Sequence, residues 1–423
     1  MARVVAALAA LASRGGATHP WRHAEALDRE LRNATKAAHL QQIDLGDVVD
    51  RELVGAVRVV HTLHARTRYF SVLDVGGSPL GTGPGELWTF ARDGAQPDSC
   101  HSAPCDALLW AGGSAEGRLL GGGEPRVVVD EADDGVAHNF GVLLTDGGTL
   151  LGGGGLFRLA ADERLNGSRG RDLYGDSLAL HGPNENYRGL EFFAAADRWT
   201  ALRPTAAWAK VPGSTISGGH PGCVERRATF GGLCEFDGRV SLVERRGGEV
   251  LAYARANTNA AGGGRGVQVA RAADLFGGSG WGPFELATFQ GLDDPSRANV
   301  YFAAVARNPV DGASLLGLFP TVLPSGASFV ALAFSCDGAR FSALAPLLNG
   351  TRGARLGRAP DQPVDGVVRR GDTVFFYVHR DVPGIAKHTA SRPWTRSRVV
   401  SLAASAAVLA ARTRRATAGL PGC

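Results

Sequence analysis

The stretch that decides the fold runs from Cys234 to Glu285. It begins Cys234-Glu-Phe-Asp-Gly-Arg-Val-Ser-Leu-Val243, and after a charged turn continues Glu249-Val-Leu-Ala-Tyr-Ala-Arg-Ala-Asn257. A glycine-rich turn then leads to Gly266-Val-Gln-Val-Ala-Arg-Ala-Ala-Asp-Leu275, and the stretch closes on Trp281-Gly-Pro-Phe-Glu285. Short apolar runs separated by polar, glycine-bearing turns predict four strands joined in sequence, the layout of one propeller blade. Glu235 and Asp237 stand one residue apart, so in an extended chain their side chains share a face.

Working outward, the end of this stretch recurs. An apolar strand, a small residue, Asp and an aromatic appear in Gly189–Trp199, in Val267–Phe284 and in Phe329–Leu348. That spacing is about one four-stranded sheet, the repeat expected of a radial β architecture whose sheets bury their faces on each other. The Asp of each copy is expected to accept backbone N–H bonds at a turn, and the aromatic to pack between sheets. Sheets are expected over 52–92, 126–204, 235–288, 298–348 and 363–410. Within the first, Val57–Thr62, Tyr69–Leu73 and Glu86–Ala91 read as strands of one sheet. Residues 92–125 read as a surface loop, Gly152–Gly155 as a flexible strand end, and Val399–Ala411 as a closing strand or short helix. The fold class is therefore all-β: a five-bladed β-propeller over 52–410, with a tail over 411–423.

Ahead of it, residues 1–20 read as a secretory signal: one Arg, the apolar run Val4–Ala12 and small residues. Residues 21–51 form a lead-in whose 22–39 segment has helical character, with Leu27 and Leu31 four apart. Neither Val4–Ala12 nor Val399–Ala411 is long enough to span a bilayer. Sequons stand at Asn33, Asn166 and Asn349. Cys100 with Cys105 and Cys223 with Cys234 are spaced for local disulfides, and no Cys-x-x-Cys pair suggests zinc. These features predict a glycosylated, disulfide-bonded protein of the secretory pathway.

The 423 residues hold 59 Gly, favouring many tight turns over long helices. The formal net charge is +4 with Arg scattered along the chain, so a nucleic-acid footprint is not indicated. His61 and His64 fall on opposite faces of a strand and do not share a metal. The four glycines at 152–155 lack the Lys-Ser/Thr of a phosphate loop. No cofactor or metal is called for, no membrane association is expected, and a monomer is anticipated.

Ser335-Cys-Asp-Gly-Ala-Arg-Phe341 resembles the Ser-x-Asp-Gly-x-x-Phe/Trp turn of sialidases and related glycosidase propellers. Cys234–Val240, Leu251–Asn257 and Val267–Asp274 are similar in rhythm to blades of the five-bladed glycoside hydrolases of families 32, 43 and 68. The resemblance is architectural and spans roughly 52–410. It implies carboxylates at the inner-strand starts of different blades, acting as base or nucleophile, as acid, and as support. The corresponding starts are His138-Asn139, Glu235/Asp237, Asn299 and Asp365. Ala137-His-Asn-Phe140 stands where a carboxylate would be expected, and the Asn-Asp-Pro-Asn motif of family 32 is absent.

On this reading Asp237 and Asp365 divide base and acid roles with Glu235, since glycoside hydrolysis needs two carboxyl groups of separated pKa. His138, Asn139, Arg239, Arg255, Asn299 and His379 hold an oligosaccharide or polysaccharide. Arg255 suits a carboxylated or sulfated sugar through paired N–H donors. The alternatives are a propeller that binds glycan without catalysis, and a protein-interaction scaffold.

Overall fold

The computed structural model describes residues 47–62, 67–94, 105–115, 119–120, 125–129, 138–155, 189–202, 208–225, 234, 236, 238–258, 264–292, 298–350, 361–382 and 397–423. The signal-like residues 1–20, the helical 22–39 segment, the sequons at Asn33 and Asn166, and Cys100 lie outside them.

Apolar residues on both faces of short strands leave each sheet in need of two partners, and the chain supplies them in a circle. Five sheets are present among the described residues. The first holds Thr67–Asp74, Leu87–Gly94, Cys105–Gly113 and Arg126–Val129 as an antiparallel meander. The second is built on His138–Leu144, Leu150–Gly155 and Gly189–Ala195. The third is Ser241–Glu244, Val250–Asn257, Arg265–Ala272 and Glu285–Leu286. The fourth centres on Ala304–Arg307, Leu315–Val322 and Ser328–Ser335. In the fifth, Thr373–Arg380 pairs with Arg398–Ser405, which pairs in turn with the N-terminal strand Val54–Thr62.

Apolar clusters fill the spaces between successive sheets. Phe90, Phe140 and Phe193 lie between the first and second. Phe192, Leu242 and Phe284 lie between the second and third, Tyr253, Phe319 and Phe341 between the third and fourth, and Phe70, Phe375 and Tyr377 between the fifth and first. The innermost strands touch one another. Gly141 of the second sheet is so close to the third that a Cβ would lie 2.1 Å from the Val240 carbonyl oxygen. The Val305 N–H of the fourth bonds to Ser241 Oγ of the third at 2.9 Å. Asp365 of the fifth pairs in parallel with Ser71 of the first, through Val72 N to Asp365 O at 2.7 Å and Asp365 N to Phe70 O at 2.9 Å. Sheets stacked face to face around converging first strands make this an all-β propeller fold.

The Asp turns form as their residue pattern requires. Asp337 Oδ1 accepts from the N–H groups of Ala339 and Arg340 at 2.9 and 2.8 Å, and Gly338 N donates to Ser335 Oγ at 2.8 Å. Burial alone would push this carboxyl up, but those donors and Arg340 hold it below the usual carboxylate range. Asp274 Oδ1 likewise accepts from Gly277 N at 2.7 Å. Trp281 packs on Phe192 of the preceding sheet, 4.8 Å between ring centres, and donates its indole N–H to Ser214 O at 2.7 Å.

Several expectations are corrected. Val54–Thr62 is not in the sheet of Thr67–Asp74; it joins the C-terminal strands, a pairing across the whole chain that closes the circle. Residues 92–125 are not a loop throughout, because Cys105–Gly113 is an interior strand of the first sheet with Leu108 and Leu109 buried. The glycines at 152–155 are a buried strand: a Cβ on Gly152 would lie 2.2 Å from the Phe140 ring, and one on Gly153 2.6 Å from Phe192. Rings from the neighbouring strands occupy the space that side chains would need. The C-terminal segment is a strand to Ser405, then a helix, Ala406–Thr417, capped by Ser405 Oγ. Its end is covalently fixed, since Cys423 is bonded to Cys336. The expected Cys223–Cys234 disulfide is present.

Candidate functional site at one end of the propeller axis

Antiparallel strands put the starts of the first and third strands of each sheet at the same end as the finish of the second. Among the described residues, the buried Arg, Asp and Glu side chains all belong to that end: Arg68, Arg92, Glu191, Arg239, Arg255, Asp361, Asp365 and Arg380. At the opposite end charges pair in solvent, as in Arg307 with Asp146 at 2.9 Å, where such contacts are worth little.

The same end carries several backbone irregularities. Among the described residues the non-glycine residues with positive φ are Tyr69, Phe236 and Asp381, at 55°, 50° and 54°. Pairing slips by one step between Arg68 and Ser71 in the first sheet and between His138 and Gly141 in the second. Bulges at corresponding places on adjacent inner strands turn side chains out of the alternating pattern, and left-handed backbone at non-glycine positions costs of order 1–3 kcal/mol each. Around Tyr69 the surroundings are fixed by Arg92, whose guanidinium carbon lies 5.0 Å from the ring centre, and by Phe302 at 6.0 Å.

At the centre is a four-residue cluster drawn from three sheets. Arg239 Nη2 donates to Ser71 Oγ at 2.7 Å and lies 3.6 Å from Asp365 Oδ2. Ser241 Oγ lies 3.0 Å from Asp365 Oδ1 and 3.3 Å from Val305 O, the two acceptors within reach of its single hydrogen, and accepts from Val305 N at 2.9 Å. Arg239 and Asp365 are 1% and 3% exposed. Burial pushes the Asp365 carboxyl up to about 6, against the opposing pull of Arg239, Ser241 and the Gly366 N–H. Burial also lowers Arg239 from its ordinary value, with Asp365 opposing. Asp365 Oδ2, Arg239 Nε and Arg239 Nη1 make no hydrogen bond among the described residues.

The structure thus brings two of the expected site residues together, Arg239 and Asp365. Arg255 is buried beside them in the third sheet, its Cβ 3.2 Å from where a Cβ on Gly238 would lie. Asn299 is buried, and its Oδ1 accepts from Arg265 N at 3.0 Å, spanning the third and fourth sheets. His379 stands apart, edge-on to Phe70 at 5.3 Å between the fifth and first sheets, with Nε2 2.5 Å from Ser397 Oγ. His138 opens the inner strand of the second sheet. Its side chain and that of Asn139 lie outside the described residues, as do Glu235 and Asp237. Ser71 and Ser241 were not singled out in the sequence. Their signal is a small polar residue between apolar neighbours, Phe70-Ser71-Val72 and Val240-Ser241-Leu242, and the two-residue spacing of Arg239 and Ser241 places both on one face. Among the described residues no group of three or more His, Cys, Asp or Glu could hold a metal ion. No described helix is long and apolar enough to cross a membrane.

No protein-family model matches the chain, and no curated protein does. Solved structures do. The chain is similar to a protein of unknown function from Dyadobacter fermentans at 14% identity and a TM-score of 0.46, covering 83% of this chain and 98% of that one. It is also similar to the Penicillium chrysogenum α-L-arabinanase solved with arabinobiose, at 12% identity and a TM-score of 0.43, covering 82% and 97%. A family 43 enzyme from Xanthomonas citri is similar at 12% identity and a TM-score of 0.44, covering 84% and 91%. The likeness is a distant one, to glycoside hydrolase propellers.

Proposed function

We propose that this chain is a five-bladed, carbohydrate-active propeller exported to an oxidising compartment, and that it hydrolyses glycosidic bonds at the end of the axis where Asp365 lies. Asp365 gives its proton to the leaving glycosidic oxygen as the bond to the anomeric carbon breaks. Water or a second carboxylate attacks that carbon, and the proton of the water passes to a base. Glu235 and Asp237 are the proposed partner carboxylates, Asp237 as base. Arg239, Arg255, His138, Asn139, Asn299 and His379 are the proposed sugar-holding groups, with no cofactor and a single chain as the working unit.

The observation that carries this reading is Asp365 itself. A carboxyl whose pKa is pushed to about 6 keeps a proton to give at mildly acidic pH, and its Oδ2 has no hydrogen bond among the described residues. The blade count rests on the five sheets and their converging inner strands. Export rests on the two disulfides.

A second reading, glycan binding without turnover, is favoured by a different observation: Arg239 and Asp365 are almost sealed from solvent, as a purely structural ion pair would be. The two are separated by incubating the protein with a panel of oligosaccharides and aryl glycosides, arabinofuranosides and uronic-acid glycosides included. Reducing-sugar release by the wild type, lost in Asp365→Asn with unchanged circular dichroism, supports hydrolysis. Saturable binding without release in either form establishes the binding protein.

A further inference from the structure

The two disulfides among the described residues sit in opposite surroundings. Cys234 is 1% exposed in the apolar cluster between the second and third sheets, and Cys223 is partly buried against the same cluster. Cys336 is half-buried on the turn that carries Asp337, and Cys423 is exposed. This second bond ties down a short strap. The helix Ala406–Thr417 ahead of the strap is anchored without it: Leu409 is fully buried, and Thr413 Oγ1 accepts from Asn308 Nδ2 at 2.9 Å. After the helix the chain turns at Gly419, where φ is +83° and a Cβ would meet nothing within 4 Å. The N–H groups of Leu420 and Cys423 bond locally, to Thr417 O at 2.9 Å and to Leu420 O at 3.3 Å, so neither reaches across to the fourth sheet. Two contacts hold the strap to the body: Leu420, 6% exposed, and the covalent bond from Cys423 to Cys336. Leu420 and Pro421 form one wall of a cleft that Phe289, Val300 and Phe341 also line.

We propose that Cys336–Cys423 is a thiol-operated latch, and that its reduction by a dithiol frees residues 418–423 and opens this wall while the propeller stays folded. A thiolate of the reductant attacks the sulfur of the exposed Cys423, the S–S bond breaks, and Cys336 leaves as a thiolate that takes up a proton. The second thiol of the reductant then attacks the mixed disulfide and releases Cys423, so the reductant ends as a disulfide and the two cysteines as thiols. Access favours this bond over Cys223–Cys234, because exchange requires a thiolate to reach a sulfur and the other pair is packed in the core. The fold does not depend on the latch for closure. The circle is closed by the backbone pairing of Val54–Thr62 with Arg398–Ser405, ahead of the helix. Once the bond is open, Leu420 alone holds the strap, and Gly419 is the point about which it turns away.

The test titrates dithiothreitol into the full oxidised chain without denaturant, blocks free thiols with iodoacetamide, and maps the label by mass spectrometry. Cys336 and Cys423 are expected to label at reductant concentrations that leave Cys223 and Cys234 unlabelled. Hydrogen exchange at such a concentration reads the strap. The amides of Leu420 and Cys423 are expected to exchange at least about tenfold faster than in the oxidised chain. The amides of Thr288 and Gln290, bonded to Ala339 O and Phe341 O at 2.9 and 3.0 Å beside the cleft, are expected to keep their protection. Cys423→Ser without reductant should show the same exchange pattern as the reduced wild type. Reduction of Cys223–Cys234 at the same or lower concentration overturns the proposal. So does unchanged exchange at Leu420 and Cys423 after the bond is opened, which would make it a passive staple. Loss of protection that spreads to Thr288 and Gln290 overturns it as well, since reduction would then unfold the sheets instead of releasing a strap.

Discussion

Gly366→Ala isolates the seam between the fifth and first sheets. Gly366 has φ of +100°, and a Cβ there would lie 1.9 Å from the Val72 carbonyl oxygen, a backbone atom that cannot rotate away. Relief requires the two segments to part. That stretches Val72 N to Asp365 O and Asp365 N to Phe70 O, the bonds that set Asp365 against Ser71. The unfavourable φ costs about 1–2 kcal/mol and each lost backbone bond about 1 kcal/mol, so a loss of about 3–4 kcal/mol is expected. Gly371→Ala is the control, with φ of +56° and nothing within 4 Å of its Cβ, and only the conformational cost of about 1 kcal/mol applies. Urea unfolding followed by tryptophan fluorescence compares the two. If Gly366→Ala is no less stable than Gly371→Ala, the seam does not exist as described.

Three further outcomes are expected. Because the folded pKa of Asp365, about 6, lies above its ordinary 3.8, the folded state binds this proton more tightly. Its contribution to stability is present in full below about pH 4 and is lost as pH rises through about 6, of order 3 kcal/mol in all. Urea midpoints at pH 4, 5, 6 and 7 should show this decline in the wild type and a flatter course in Asp365→Asn; parallel curves would refute it. The Cys336–Cys423 bond closes a loop of 87 residues, so Cys423→Ser should lower stability by about 2–4 kcal/mol, read from chemical denaturation under oxidising conditions. Phe192→Ala should cost about 3–5 kcal/mol, since Phe192 is fully buried between sheets and carries Trp281 on its face; a loss under 1 kcal/mol would mean the ring does not bridge them.

What was legible in the sequence was local. Asp274 and Asp337 announce their turns because a carboxylate two or three residues from N–H donors is a short-range device. Trp281 announces an inter-sheet contact because its turn repeats. Alternation also carried the strands of 241–272. Long-range pairing is illegible: nothing in Val57–Thr62 says that its partner lies at 398–405, and sequence proximity points to its neighbours in the chain instead. Cys105–Gly113 was hidden by its Gly- and Pro-rich surroundings, although Ala107–Ala111 held the apolar signal. The strand at 150–155 is disguised because glycine suggests looseness, whereas here the Phe140 and Phe192 rings use the room. At the axis, Asp365 is legible as a charge at an inner-strand start, and Arg239 as a cation two residues beyond Asp237. Ser71 and Ser241, which bond to them, look like ordinary strand residues until the sheets are closed into a ring.

The central claim is that Asp365 acts as a proton donor at the axis, and the pH dependence of kcat/KM tests it most directly. On a glycoside substrate identified from the panel, the wild type is predicted to lose activity above about pH 6, where Asp365 ionises. Asp365→Asn should show a rate lower by at least about 100-fold and no such limb. A wild-type profile flat from pH 5 to 8, or an Asp365→Asn variant that retains both rate and limb, would contradict the account.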